Sequence, residues 1–345
     1  MDDEMTPYVL DVKDLRVYFY TEEGEVRAVD GVSFAMKRGR IMALVGESGC
    51  GKSVTAYSVL RLIQKPGSIR GGKILFYPLR ATLAPDTPVD VTALAEDSAA
   101  LFHLRGGQIS MIFQEPMTAL SPVHTVGNQI CEAILLHQDV TRQEARERAI
   151  EMLGKVGIPG PAQRIDQYPF EMSGGMRQRV VIAMALVCDP EILIADEPTT
   201  ALDVTLQAQI MGLIRTLQRD LGTSTLLITH DLGVVGQLAD DVAVMYLGRI
   251  VEQGDVRTIM KDPRHPYTMG LLKSLPSLAM DKARLPSIEG SVPSLSELPP
   301  GCPFHPRCPF AEPGRCDVGG PPAVETVAPG HEVACLRVSE IGKGG

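Results

Sequence analysis

An eight-residue run, Gly46-Glu-Ser-Gly-Cys-Gly-Lys-Ser53, constrains this chain more than any other feature. It fits G-x-x-x-x-G-K-[ST], follows directly on the apolar stretch IMALV and leads into a helical pattern over about residues 53–63. Strand, glycine-rich turn and helix together are the context this motif requires. A short run that is apolar throughout suits a strand buried on both faces of a parallel sheet, and hence an α/β fold. The glycines let backbone N–H groups turn inward as an anion nest, and the helix N-terminus adds partial positive charge. Lys52 is spaced to reach the β- and γ-phosphates of a nucleotide, and the Ser53 hydroxyl to ligate Mg²⁺. The bland alternative is a strand-to-helix turn that happens to contain Lys-Ser, and the flanks argue against it.

A second apolar strand, Ile192-Leu-Ile-Ala, ends in Asp196-Glu197. Ligands bind at the carboxyl ends of strands in such sheets, so Asp196 is placed to orient Mg²⁺ through its water and Glu197 to polarise an attacking water. Alone, paired carboxylates at a strand end are often only a helix cap. Ser173-Gly174-Gly175 opens an apolar helix through Val180, Ile182, Met184 and Leu186, with Ser173 as its cap and both glycines leaving room for a phosphate. His230 ends the strand TLLITH, where it can touch a γ-phosphate. Each of these last two features has an ordinary structural reading when taken without the phosphate loop.

Composition sets the outer limits. Lys and Arg number 33 against 42 Asp and Glu, a formal charge of -9, which disfavours a general binder of nucleic acid or anionic lipid. No apolar run approaches the roughly 18 residues of a membrane-spanning helix, and the acidic start MDDEMTPY lacks the apolar region of a signal peptide. The chain is therefore expected in the cytosol. LDVKDLRVYFY and VRAVDGVSFAM read as strands around a turn at residues 22–25, and residues 78–100 as an irregular insertion. A helical pattern runs from about 116 to 175. Within it, Thr141 and Glu144 form a capping box, and Ala145, Ala149, Ile150, Leu153 and Val156 an apolar face. Strands return at 192–196, 224–230 and 242–248, and beyond about 255 the chain reads as a Pro-, Gly- and Ser-rich appendix with little periodicity.

Four of the seven cysteines, Cys302, Cys308, Cys316 and Cys335, crowd that appendix. In a reducing compartment such a group reads as a metal site rather than as disulfides. A coreless segment of this kind often depends on a metal to hold it. The paired C-x2–4-C spacing common at zinc is missing, and iron–sulfur clusters take four Cys at family-specific intervals, so cluster, zinc and unligated thiols all stand as readings. His305 and His331 are read as surface residues, with a place as substitute metal ligands as the alternative.

The whole pattern resembles the ATP-binding subunits of ABC transporters of the oligopeptide, dipeptide and nickel uptake family. The resemblance runs from about Leu10 to Cys335. It is carried by GESGCGKS, ISMIFQEPMTALSP, YPFEMSGGMRQR, LIADEPTTALD, ITHDLGVV, HPYT at 265–268 and GCPFHPRC at 301–308. It implies a P-loop ABC-type nucleotide-binding domain over 8–258, with a RecA-like core, an N-terminal antiparallel β-subdomain and a helical subdomain at about 116–175. A Cys-rich C-terminal extension would occupy 259–345. It further implies an ATPase that energises uptake of peptides or related small solutes. The partners would be two membrane-spanning permease subunits, a second homologous ATPase subunit and an extracytoplasmic solute-binding protein, with no nucleic acid. The place of work would be the cytoplasmic face of the inner membrane.

The resemblance also assigns residues. ATP and Mg²⁺ would be held by Gly46, Glu47, Ser48, Gly49, Cys50, Gly51, Lys52, Ser53 and Val54, with Phe19 or Tyr20 stacking on adenine. Gln114 is the Q-loop residue that senses Mg²⁺, Asp196 and Glu197 the Walker B pair, and His230 the switch histidine. Ser173, Gly174 and Gly175 belong to the signature and Asp203 to the D-loop, both reaching the opposite subunit. Some family members carry a four-iron cluster in the tail, which favours a 4Fe-4S cluster on the four cysteines, with zinc as runner-up. The signature reads MSGGM where LSGGQ is usual, so one side-chain amide is missing. A soluble ABC ATPase acting on DNA or ribosomes is the main competitor. Gly46 and Ser173 lie too close in sequence for the long coiled coil of repair types, and ribosomal types normally carry two cassettes in one chain. A regulatory iron–sulfur sensor is disfavoured by the intact catalytic set. The transported solute is not legible in the sequence.

Overall fold

The β-rich start of the chain and the three apolar strands of the sequence all appear as strands in a computed structural model, which describes residues 6–22, 24–80, 88–115, 119–199, 203–275 and 288–341. The chain opens with β1 (Tyr8–Thr21), β2 (Gly24–Lys37), β3 (Ile41–Val45) and α1 (Lys52–Val59). Next come β4 (Gly67–Phe76), β5 (Val89–Asp90), α2 (Ala99–Gly107) and β6 (Ile109–Ile112). A helical stretch holds α3 (Val126–His137), α4 (Arg142–Lys155), α5 (Pro161–Arg164) and α6 (Gly174–Leu186). It gives way to β7 (Ile192–Asp196), α7 (Val204–Leu221), β8 (Ser224–Thr229) and α8 (Leu232–Leu238). The chain ends with β9 (Asp241–Tyr246), β10 (Arg249–Asp255), α9 (Val256–Lys261), α10 (Pro266–Lys273), β11 (Glu325–Ala328) and β12 (His331–Val333).

These elements form two compact units, each built from separated stretches of chain. One comprises residues 1–10, 36–40 and 75–227. In it β6 and β7 pair in parallel, Ile109 with Ile192 through Ile112 with Ala195, and the early residues of β8 continue the sheet beside β7. Every residue of β7 is buried, as expected of a parallel strand covered on both faces. Helices α3, α4 and α6 pack together here. The α4 cap is the box read in the sequence, with Thr141 Oγ1 accepting from Glu144 N–H and Glu144 returning a bond to Thr141 N–H. The predicted apolar face of α4 is correct at Ala145, Ala149 and Leu153, with Val156 just beyond. Met152 is buried in addition, while Ile150 is only half-buried.

The other unit comprises residues 11–35, 41–74 and 228–345. Its first sheet has the order β2–β1–β4, and the short connection between β1 and β2 leaves antiparallel pairing as the only option. Its second runs β3–β9–β10–β12–β11. β3 and β9 are parallel, and each later neighbour is antiparallel. All five residues of β3 are buried. The region beyond 255, expected to lack periodicity and a core, instead contributes two helices and a hairpin that extends the sheet. It also has buried residues of its own, among them Tyr267, Phe304, Val333 and Ile341. Strands of four and three residues are too short to print an alternating pattern, and pairing holds them, β12 on β10 and β11 on β12. In the first unit, residues 78–100 also contain more order than expected, with β5 and the start of α2. Among the described residues no helix is long and apolar enough to cross a membrane.

Candidate nucleotide site and cysteine tail

The phosphate loop lies between β3 and α1 in the second unit. Two of its glycines are there for lack of a Cβ. At Gly51, φ is +103° and a Cβ would stand 2.2 Å from the Ala28 carbonyl oxygen. At Gly46 a Cβ would stand 2.1 Å from the Met245 carbonyl oxygen. Lys52 is 5% exposed, and its Nζ donates to the carbonyls of Gly46 at 2.8 Å and Glu47 at 3.0 Å. The ammonium thus lies across the loop, held by carbonyls from which phosphate oxygens can draw it. No side chain caps α1, which leaves the dipole of its first turn to the loop. Ser48 and Gly49 are exposed at the tip, Ser53 and Val54 are half-buried at the start of α1, and burial pushes the Cys50 thiol up.

Phe19 and Tyr20 lie in the same unit on opposite faces of β1. Tyr20 is 44% exposed with the Arg70 guanidinium 4.6 Å above its ring, whereas Phe19 is half-buried against Gly67. His230, directly after β8, is exposed. Asp231 next to it caps α8 by accepting from Gly233 and Val234 N–H.

The acidic residues belong to the first unit. Asp196 ends β7 and is fully buried. Glu197 follows with φ +44°, a left-handed conformation that costs a non-glycine residue about 1–3 kcal/mol. Gln114, just past β6, donates its amide to Glu197 Oε2 at 3.5 Å, which brings two of the sequence-predicted residues together. Ser173 caps α6 by accepting from Met176 N–H, and both it and Gly174 are exposed, while Gly175 is half-buried. Asp203 is also exposed and caps α7, accepting from Leu206 N–H at 2.9 Å. Residues 116–118 and 200–202, inside the Q-loop and TTALD segments, lie outside the described residues. One residue absent from the sequence reading stands out. Gln178 on α6 is 1% exposed and donates to the Pro198 carbonyl at 2.6 Å, strapping α6 to the turn after Glu197.

In the tail, Cys302, Cys308, Cys316 and Cys335 line one cavity of about 20 Å³, and all four are free thiols. Burial raises three of them, Cys302 to about 11, with Cys308 and Cys335 moved in the same direction. Among the described residues no group of three or more His, Cys, Asp or Glu is set to hold a metal ion, so the expected preformed four-thiolate centre is not present. Thiol sulfurs suit soft metals, and all four border this one small cavity. His331 corrects its expected surface position. It is 2% exposed and its Nε2 lies 2.8 Å from Glu252 Oε1. His305 Nδ1 is bonded to the Cys302 carbonyl.

Two further residues escaped the sequence reading, Tyr267 and Arg307. Both contact Glu47 of the phosphate loop. They sit in HPYT and GCPFHPRC, stretches visible as motifs but silent as to what they touch.

Comparison with known proteins places these features in a family. The family described as ABC transporter matches residues 29–200, and that described as oligopeptide/dipeptide transporter, C-terminal region, matches 251–316. A probable peptide ABC transporter ATP-binding protein of Sinorhizobium fredii is 51% identical over 335 residues, covering 96% of each chain. The dipeptide transport ATP-binding protein DppD of Escherichia coli is 46% identical over 327 residues, covering 95% of this chain and 96% of its own. A solved dimeric ATP-binding cassette, in a post-hydrolysis state with ADP and Pi, aligns with a TM-score of 0.60 at 25% identity over 72% of this chain and 99% of that one.

Proposed function

The chain belongs to the peptide and dipeptide ATP-binding subunits of ABC transporters, and from that premise we propose how its residues divide the work of ATP hydrolysis. The loop from Gly46 to Ser53 cradles the phosphates, with Val54 continuing it and Phe19 or Tyr20 stacking on the base. The single observation that carries the reading is Lys52, held over the loop by two carbonyls and ready to transfer to phosphate oxygens. Ser53, Gln114 and Asp196 are the hard-oxygen donors that suit Mg²⁺, which when bound neutralises the charge developing on the transferred phosphoryl group. Glu197 orients and polarises the attacking water, held near Gln114. His230 contacts the γ-phosphate from the strand end.

The exposure of Ser173, Gly174 and Asp203 supports a composite site in which each subunit's signature completes the other's nucleotide pocket. A similar solved cassette is dimeric, which fits a clamp of two subunits. Here the second is read as a homologous ATPase. The cassette is assigned to 8–258, with its helical part at 116–175, and the extension to 259–345. Two permease subunits, a solute-binding protein and a peripheral position on the cytoplasmic face of the inner membrane complete the assignment. Stimulation of ATPase activity by the cognate membrane subunits tests it. Stimulation by DNA or ribosomes instead would favour the soluble alternative.

For the tail, the reading is a 4Fe-4S cluster on Cys302, Cys308, Cys316 and Cys335, with zinc as the alternative. The support is that all four thiols border one cavity. Anaerobic purification followed by iron, sulfide and zinc analysis tests it. Roughly four irons with matching sulfide establish the cluster. About one zinc makes the tail a redox-silent clip. Metal-free protein removes the metal reading and leaves the ATPase assignment in place.

A further inference from the structure

Glu47, the second residue of the phosphate loop, is held at three points. Its carboxylate accepts two hydrogen bonds from Arg307, Nη1 to Oε2 at 2.7 Å and Nη2 to Oε1 at 3.0 Å. Its backbone N–H donates to the Tyr267 hydroxyl at 2.9 Å, and its carbonyl accepts from Lys52 Nζ at 3.0 Å. Arg307 is fixed in turn. Its Nε donates to the Glu289 carbonyl at 3.2 Å, and its side chain is 3% exposed against 28% for Glu47. The guanidinium lies 5.9 Å from the Tyr246 ring and 6.0 Å from that of Phe304. A buried planar fork that closes on one carboxylate while a carbonyl takes a further donor is a task for Arg rather than Lys.

A carboxylate in a loop that receives a triphosphate opposes the ligand's charge unless it is neutralised. We propose that Arg307 is a positioning residue for the nucleotide. By neutralising and anchoring Glu47, it lets the loop accept ATP phosphates without repulsion from its own side chain. The inference deepens, and rests on, the reading of residues 46–53 as the phosphate cradle. It gives the C-terminal extension a part in nucleotide affinity, through a residue adjacent in sequence to Cys308. Because the repulsion acts on bound ATP and on its transition state alike, loss of Arg307 falls on affinity and leaves the chemical step largely intact.

The test uses the full-length protein, with ATP Kd from equilibrium titration, steady-state KM and kcat, and the thermal unfolding midpoint. Arg307→Met is expected to raise Kd and KM for ATP about 10- to 100-fold, the effect of one uncompensated charge near the phosphates, with kcat within about threefold. In a Glu47→Gln background Arg307→Met should change ATP affinity by less than about threefold relative to Glu47→Gln alone, because no unpaired carboxylate remains. An Arg307→Met effect as large in the Glu47→Gln background as in the parent means that Arg307 only packs the tail, and overturns the proposal. So does a KM for Arg307→Met within about twofold of the parent. Should Arg307→Met fail to fold, Arg307→Lys decides. Near-parental ATP affinity with a lowered unfolding midpoint supports neutralisation, and a loss beyond about tenfold overturns it. Lys52→Ala separates the two levels of the argument. Retained ATP binding in that variant overturns the cradle itself, whereas lost binding beside an unaffected Arg307→Met overturns the role of Arg307 alone.

Discussion

Glu197 combines an uncommon backbone conformation with an exposed-side amide neighbour, and both fit a carboxylate whose direction matters more than its burial. Glu197→Gln keeps the shape and removes the base. ATP affinity is expected to hold while turnover falls about 10²- to 10⁴-fold. Near-normal ATPase activity in that variant would remove Glu197 from the role. A second residue-scale prediction concerns His265, which is fully buried and accepts from Tyr267 N–H through Nδ1 at 3.1 Å, a bond that neutral imidazole makes. Burial drives its pKa down to about 4, with the nearby Glu252 acting in the opposite sense. The unfolded chain, with an ordinary imidazole, therefore takes up the proton first as pH falls. Stability present above about pH 6.5 is lost progressively toward pH 4, by about 3 kcal/mol in all. His265→Asn keeps an acceptor and does not titrate, so its unfolding midpoint should fall less steeply over that window. Equal slopes would show that another group governs the acid limb.

At the scale of elements, what was legible in the sequence was what neighbours in sequence decide. The capping box of α4, the apolar runs of β3, β7 and β8, and Ser173 as the cap of α6 all follow from residues within one turn or one strand. The placement of Lys52 at the start of α1, and of Asp196 and Glu197 at the end of β7, was legible for the same reason, each fixed by a local strand-to-turn context. Thr141→Ala is accordingly expected to cost about 1 kcal/mol in denaturant unfolding and to leave ATP affinity unchanged. A shifted ATP affinity would mean that α4 does more than support its own unit. What the sequence hid are contacts between distant stretches. Glu252, in the middle of β10, is fully buried, which composition alone argues against for a glutamate. It is satisfied by Arg264 N–H at 2.6 Å, His265 N–H at 3.0 Å and His331, none of which a local pattern shows. Tyr267 and Arg307 were hidden in the same way, since each is defined by Glu47 rather than by its own neighbours.

At the scale of the whole chain, the last strands close what earlier ones leave open. β12 pairs with β10, covering an edge that would otherwise be free to template pairing with another chain, and His331 meets the buried Glu252. A chain ending at Ala323 lacks both. It is expected to lose about 1–3 kcal/mol as the buried Glu252 gives up one of its hydrogen-bond partners, and to self-associate through β10, seen as a lowered unfolding midpoint and early elution in size-exclusion chromatography. A monodisperse truncated chain of parental stability would show the hairpin to be dispensable. The ion pair of Glu47 with Arg307 carries the same dependence into time. Its partners are 260 positions apart, and a ribosome adding about 5–20 residues per second takes about 13–50 s to cover them. Throughout that interval the nascent chain holds a finished glycine loop whose carboxylate has no guanidinium to meet. Completion of the loop's contacts thus waits on residues made 260 positions later, and a product that stops short of Arg307 carries residues 46–53 with the Glu47 carboxylate unanchored.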